Sequence, residues 1–183
     1  MEKSNKPPIP ASDPTDYSME CSNKLLLSVG GNLHISAERF YLLWEKVEHM
    51  IGHVNAISPY YKSKSWGFVS EHPFVNAAAE VLTNLPPMEV LYQTQEIEKQ
   101  LGRVSKSRNG IYSDRPMDID IIAYNDLIIK NEELEIPHPR MTLRRFVLQP
   151  LCDITPDWKH PILHLSVKEL LENCKDDIIL TRL

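Results

Sequence analysis

Arg115-Pro116-Met117-Asp118-Ile119-Asp120-Ile121-Ile122 sets two carboxylates two residues apart inside a run that is otherwise apolar and β-favouring. Side chains alternate faces along a strand, so Asp118 and Asp120 point the same way. Like charges held this close repel unless a cation lies between them, and hard oxygen ligands beside Arg115 suit magnesium carrying a phosphate chain. The competing reading is a strand with one solvated face and an ordinary polar pair on it. The segments on either side decide between the two.

Upstream of this strand, Val90, Thr94, Ile97 and Leu101 recur at helical spacing after Asn84-Leu85-Pro86-Pro87, and Gly102 ends the run. Gln95 and Glu98 lie three apart on the polar side of that helix and are neighbours there. Before it, residues 74–83 and 54–61 read as strands, separated by a polar loop with Trp66, Gly67 and Pro73. Phe40, Leu43, Trp44 and Val47 mark an earlier helix, which Ser36 can cap and Gly52 stops. Leu25-Leu26-Leu27-Ser28-Val29, closed by Gly30-Gly31-Asn32, opens the series as a strand. Downstream, Asn125-Asp126 is placed to fold the strand back into Leu127-Ile128-Ile129 as a hairpin. The order strand, helix, strand, strand, helix, strand predicts an α+β fold with a ferredoxin-like β-α-β-β-α-β core, a four-stranded antiparallel sheet carrying two helices on one face. The C-terminal third adds further helical and strand elements, including a short helix opened by Ser166 and Glu169.

The chain has 183 residues and a formal charge of −5, enough length for one domain with a real core and too little positive charge for a broad nucleic-acid surface. Residues 1–23 contain four prolines and almost no large apolar side chains, which predicts a flexible tail ahead of a single domain at residues 24–183. Three dispersed cysteines form no metal-type spacing or disulfide framework, which fits a reducing cytosol. No apolar run approaches the ~20 residues of a membrane span, and no signal peptide is visible. A soluble, cytoplasmic, monomeric protein without nucleic-acid or membrane partners is the expectation.

Basic groups gather around the Asp pair: Arg103 with Lys106 and Arg108, then Arg115, then Arg140 with Arg144 and Arg145. A guanidinium presents a planar fork that matches phosphate oxygens, so a polyphosphate site fits this pattern. His138, held between two prolines, is presented rigidly and in this setting reads as a phosphate contact. No Walker loop or kinase-type glycine loop occurs, so a nucleotide would be held without the common cradle. The loops at 63–73 and 103–113 are long enough to serve as lids.

These pieces in this order resemble the hydroxymethyldihydropterin pyrophosphokinase family. The resemblance is carried by Leu27-Ser28-Val29-Gly30-Gly31-Asn32-Leu33, Phe74-Val75-Asn76-Ala77-Ala78, the Gln95 to Arg103 segment, the Arg115 to Ile121 segment, Ile136-Pro137-His138-Pro139-Arg140 and the Arg144 to Leu151 segment. It implies transfer of the pyrophosphoryl group of ATP to a reduced pterin, in folate synthesis. Asp118 and Asp120 would hold two Mg2+ ions. Arg103 and Arg115 would act with them in catalysis. Gln95, Glu98, Arg103, Tyr112, Arg115, Ile121, His138 and Arg144 would contact ATP. Ser63, Lys64, Trp66, Phe74, Asn76, Tyr112 and Phe146 would contact the pterin, with Phe74 and Phe146 sandwiching the ring. The chain departs from the family pattern in having Gly31 where a serine is frequent, Phe74 for a tyrosine, Tyr112 for a tryptophan and Ser105 for a basic residue.

Two other functions compete. A palm-like two-metal nucleotidyltransferase also mounts paired Asp on a ferredoxin-like sheet, but it would expel pyrophosphate rather than AMP. A ferredoxin-like RNA-binding module would display stacking aromatics in a basic setting, against which the acidic strand and the net charge count.

Overall fold

The computed structural model describes residues 23–103 and 114–183. Strand β1 (Asn23–Gly31) explains the layering of the molecule. Leu25, Leu26 and Leu27 are all fully buried, so neither side of this strand meets water, and an apolar run without alternation is what a strand covered on both faces requires. The two helices expected on one face are there, and the added C-terminal helices cover the other, so the sheet is sandwiched. Asn23, assigned in sequence to the tail, is the first residue of β1 and donates from its side-chain Nδ2 to Thr83 O.

Helix α1 (Ala37–Met50) starts where Ser36 accepts a hydrogen bond from the Arg39 amide, and buries Phe40, Leu43, Trp44 and Val47. Strands β2 (His53–Ile57), β3 (Tyr61–Ser63) and β4 (Phe74–Thr83) follow, then α2 (Pro87–Gln100) with a proline at its start, then β5 (Asp118–Tyr124). The sheet runs β5-β1-β4-β3, and every pairing is antiparallel. β2 pairs with the far half of β4, alongside Ala79 to Leu82, while β3 pairs with its near half, alongside Phe74 to Asn76.

The single strand expected at 54–61 is thus two. Pro59 has no amide hydrogen to give the ladder, and the gap is bridged by Ser58, whose amide donates to Ala78 O at 2.9 Å and whose hydroxyl accepts from Ala78 N at 2.9 Å. With β2 and β3 taken as one split strand, the order is that of the ferredoxin-like fold.

Alternation sorts the core. Leu25, Leu27, Val29, Ala77, Ala79, Val81, Ile119 and Ile121 pack with α1 and α2 on one face. Leu26, Ala78, Ile122 and Ala123 pack on the other with α3 (Arg145–Ile154) and α4 (Val167–Glu172). A register shift between Leu26 and Leu27 lets the adjacent Ile122 and Ala123 join the same cluster.

The hairpin expected after Asn125 does not form on β5. Asn125 turns the chain, but Leu127 and Ile128 emerge exposed, and Ile129–Lys130 (β6) pairs instead with Glu135–Ile136 (β7). The outer side of β5 is occupied by other partners: the His138 amide donates to Ile122 O at 2.9 Å, and Glu98 takes the Ile119 amide. Ser166 and Glu169 form the expected capping box of α4. A last short strand, β8 (Thr181–Arg182), adds to the open side of β3. Among the described residues no helix is long and apolar enough to cross a membrane.

Candidate active site

The same alternation that buries Leu26, Ala78 and Ile122 under α3 places Ser28 and Gly30 of β1, Phe74 and Asn76 of β4, and Asp118 and Asp120 of β5 on that face, one or two pleats further along. They lie in rows, Gly30 paired with both Asn76 and Asp118, and Ser28 with both Ala78 and Asp120. α3 covers the apolar half of the face. The polar half stays open as a cleft of about 500 Å³ whose rim adds Ser63, Lys64, Trp66, Phe68, Arg115, Arg144 and Phe146.

The charged end of the cleft is a tight network. Asp118 Oδ1 accepts from Arg103 Nη1, and its Oδ2 lies 3.1 Å from Arg115 Nε. Burial alone would raise the Asp118 carboxyl, but Arg115 and Arg103 outweigh it and hold the group below the ordinary carboxylate range. Glu98, 2 % exposed, supports this arrangement from α2: its Oε1 accepts from Arg103 Nη1 and from the Ile119 amide, each at 2.8 Å. Burial works against the Arg103 charge and is outweighed by Asp118 and Glu98, so the guanidinium is held firmly charged. Asp120 is the more open carboxylate, with Oδ2 3.8 Å from Arg144 Nη1. Among the described residues no three His, Cys, Asp or Glu cluster to hold an ion.

The other end is aromatic. Phe68 meets Phe74 edge-on at 6.0 Å, and Trp66 meets Phe146 at 6.3 Å. Guanidiniums tie both pairs to the charged end, with Arg115 Cζ 5.4 Å from the Phe74 ring centre and Arg144 Cζ 4.9 Å from that of Trp66. Between them Asn76, 4 % exposed, donates from Nδ2 to Ser63 Oγ at 3.1 Å. Its Oδ1 lies where a side chain on Gly30 would collide, since a Cβ there would come within 2.5 Å. The glycine is required so that the amide can lie across β1.

Asn32 fastens the rim. Its Nδ2 donates to Asp114 Oδ1, Ser70 Oγ and His72 O, and its Oδ1 accepts from the Arg115 amide at 2.8 Å. The loop before β4 and the residues before β5 are thereby fixed to the end of β1. His138 offers a neutral ring. Burial, then Arg144 and Arg140, push its pKa down to about 4. Its Nδ1 accepts from the Arg140 amide at 3.1 Å, which leaves the proton on Nε2 as a donor.

Asp118, Asp120, Arg103, Arg115, Arg144, Ser63, Lys64, Trp66, Phe74, Asn76 and Phe146 are therefore brought together at one cleft and its charged wall. Gln95 is half-buried on α2, one turn from Glu98. Glu98 is too enclosed to meet a nucleotide freely and acts on Arg103 and β5 instead. The Ile121 side chain, 6 % exposed, points into the α1 and α2 core and away from the cleft. Tyr112, with Ser105, Lys106 and Arg108, lies outside the described residues. Sequence reasoning missed Ser28, Gly30 and Phe68 as cleft residues. A lone serine inside a leucine run was a usable signal, because a polar group in a strand buried on both faces needs a local reason. Phe68 gave none.

A ferredoxin-like sheet that sets a carboxylate pair among arginines, beside a flat aromatic slot, defines a transferase that handles phosphate chains. Residues 26–156 match the family described as 7,8-dihydro-6-hydroxymethylpterin-pyrophosphokinase (HPPK), and the chain belongs to that family. It is 41% identical over 136 residues to the 2-amino-4-hydroxy-6-hydroxymethyldihydropteridine pyrophosphokinase of Porphyromonas gingivalis, covering 74% of this chain and 92% of that protein. It is 38% identical over 152 residues to the folic acid synthesis protein FOL1 of Dictyostelium discoideum, covering 83% of this chain and 22% of that longer protein. The same fold occurs in the crystal structure of Plasmodium falciparum HPPK-DHPS with pteroate, at a TM-score of 0.63 and 18% identity, over 82% of this chain and 42% of that one.

Proposed function

We propose that the chain transfers the β,γ-pyrophosphoryl group of ATP to the hydroxymethyl oxygen of 6-hydroxymethyl-7,8-dihydropterin, giving AMP and the pterin diphosphate for folate synthesis. The observation that carries this reading is the adjacency of two unlike half-sites on one open sheet face: an aromatic slot with a buried amide, and a carboxylate and arginine network.

A flat heterocycle favours aromatic faces, and its donor and acceptor edge suits Asn76, which offers both kinds of group. Phe74 and Phe146 would flank the ring, with Trp66 and Ser63 at its border. Arg115 and Arg144 reach from the aromatic half to the charged half, so they are placed to grip the phosphate chain beside the acceptor hydroxyl. Arg103 would add charge from the floor and His138 Nε2–H a neutral donor. Such transfer depends on positioning and charge neutralisation more than on a strong base. In the step itself the hydroxymethyl oxygen bonds to the β-phosphorus, the bond from that phosphorus to the α,β-bridging oxygen breaks, AMP leaves carrying the bridging oxygen, and the hydroxyl proton passes to solvent.

Asp118 and Asp120 fit magnesium. A carboxylate has about four lone-pair sites, so Asp118 retains capacity beyond its two arginine contacts, Asp120 is more open still, and phosphate oxygens would complete the hard-oxygen set. Two bound ions would supply neutralisation of the triphosphate charge.

The protein incubated with ATP, magnesium and hydroxymethyldihydropterin should yield AMP and pterin diphosphate in equal amounts, separated by chromatography. ADP as the stoichiometric product would mean attack at the γ-phosphorus. Free pyrophosphate would mean attack at the α-phosphorus, as a nucleotidyltransferase performs, and either result would overturn the assignment. The reading includes action on small molecules in the cytoplasm, supported by the dispersed cysteines, and on no nucleic acid, supported by the negative charge.

A further inference from the structure

Residues 157–183 lie beyond the stretch that matches the family, yet their contacts end on two walls of the cleft. Asp176 reaches the start of α3. Its Oδ2 accepts from the Arg145 amide at 2.9 Å, and its Oδ1 accepts from the Ile178 amide at 3.2 Å. One carboxylate thereby satisfies an amide that the helix cannot, adds negative charge at the positive end of the helix, and ties both to the C-terminal segment.

Five residues on, β8 pairs with β3, Thr181 opposite Lys62 and Arg182 opposite Tyr61, and the Leu183 amide donates to Tyr60 O at 2.9 Å. In an antiparallel ladder the hydrogen-bonded pairs recur at every second residue, so the Leu183 and Tyr60 pair makes Thr181 and Lys62 the next one. Arg145 sits between Arg144 and Phe146, and Lys62 precedes Ser63 and Lys64. A further bond, from Tyr61 Oη to Asp153 Oδ2 at 2.6 Å, holds β3 to the last turn of α3. Asp176 acts on the first turn of α3, beside Phe146, and β8 acts on β3, beside Ser63 and Lys64.

We propose that Asp176 and β8 form a strap that sets the width of the aromatic slot, with Asp176 a positioning residue for Phe146. The proposal rests on the pterin reading of that slot. The strap's anchors are on α3 and β3, whereas Asp118, Asp120, Arg103 and Arg115 are carried by β5 and the residues flanking it and α2. Its loss therefore falls on ring binding more than on triphosphate binding.

The test is isothermal titration of the full chain, in magnesium, with a non-hydrolysable ATP analogue and then with hydroxymethyldihydropterin. Asp176→Ala and Thr181→Pro should each weaken pterin binding about tenfold, well inside the ~100-fold that a displacement of about 1 Å can cost. Affinity for the ATP analogue should stay within about twofold, which also reports an intact fold. Asp176→Asn retains one acceptor oxygen for the Arg145 amide and should recover most of the pterin affinity. Unchanged pterin binding, an equal fall for both ligands, or an Asn variant no better than Ala would overturn the strap. A wild-type chain that bound the ATP analogue but no pterin would instead overturn the functional reading from which the strap starts.

Discussion

Asp118 concentrates the chemistry of this site in one side chain. With a guanidinium against each oxygen its carboxyl is held below the ordinary carboxylate range, and it in turn anchors Arg103 and Arg115. Asp118→Asn keeps the shape and removes the charge, so turnover should fall about 100- to 1000-fold while far-UV circular dichroism is retained. Retention of half the wild-type rate would be incompatible with its proposed role. His138 behaves differently from a typical histidine, because its pKa lies at about 4 in the folded chain against 6.5 for an ordinary one. The unfolded chain therefore binds the proton more readily between those values. Stability from this residue is complete above about pH 6.5 and is lost as pH falls toward 4, by on the order of 3 kcal/mol at most. His138→Gln should flatten the fall in melting temperature across that window relative to wild type. An identical fall in both proteins would show that the ring is not held neutral.

At the level of elements, the strand carrying Asp118 was legible in sequence because two carboxylates in an apolar run leave few alternatives. Both main helices were legible for a similar reason, since each combines helical spacing with punctuation at its ends. The split of β2 from β3 was hidden, because Pro59 interrupts the ladder while the apolar character of the segment continues through it. α3 was hidden as well: it has no side-chain cap and contains Pro150, and its start depends on Asp176, 31 residues further along the chain. Strand alternation, once the register is known, accounts for Ser28, Gly30, Phe74, Asn76, Asp118 and Asp120 in the cleft. The crossing of β1 by the Asn76 amide makes Gly30→Ala a direct test, since the added methyl would meet Asn76 Oδ1 at 2.5 Å and force it aside. Pterin affinity should drop by about tenfold or more, corresponding to loss of ~1.4 kcal/mol, while binding of an ATP analogue changes little. Equal affinities for wild type and variant in a pterin titration would remove Asn76 from the pocket.

The whole molecule is a sheet between two unequal helical layers, and the layers have different duties. α1 and α2 seal one face completely, whereas α3 and α4 seal half of the other and leave the rest for substrate. Leu43→Ala and Leu148→Ala each empty a fully buried position and should each cost about 2–5 kcal/mol in urea denaturation. Only Leu148→Ala should also weaken pterin binding, because Phe146 packs against the same cluster. Parallel losses of affinity in the two variants would mean that the layers are not separable. Sequence could not reveal the second layer, since an unalternating strand says that both faces are covered without saying by what. The charged wall described above carries a further consequence. Among the described residues of this ion-pair network, Glu98, Asp118 and Asp120 stand against Arg103, Arg115 and Arg144, three anions against three cations. Were the two Asp to hold a divalent cation, as proposed, cation and nucleotide would be thermodynamically linked ligands: each would raise the affinity for the other by the same factor, and the site would sense the free concentration of one through its occupancy by the other.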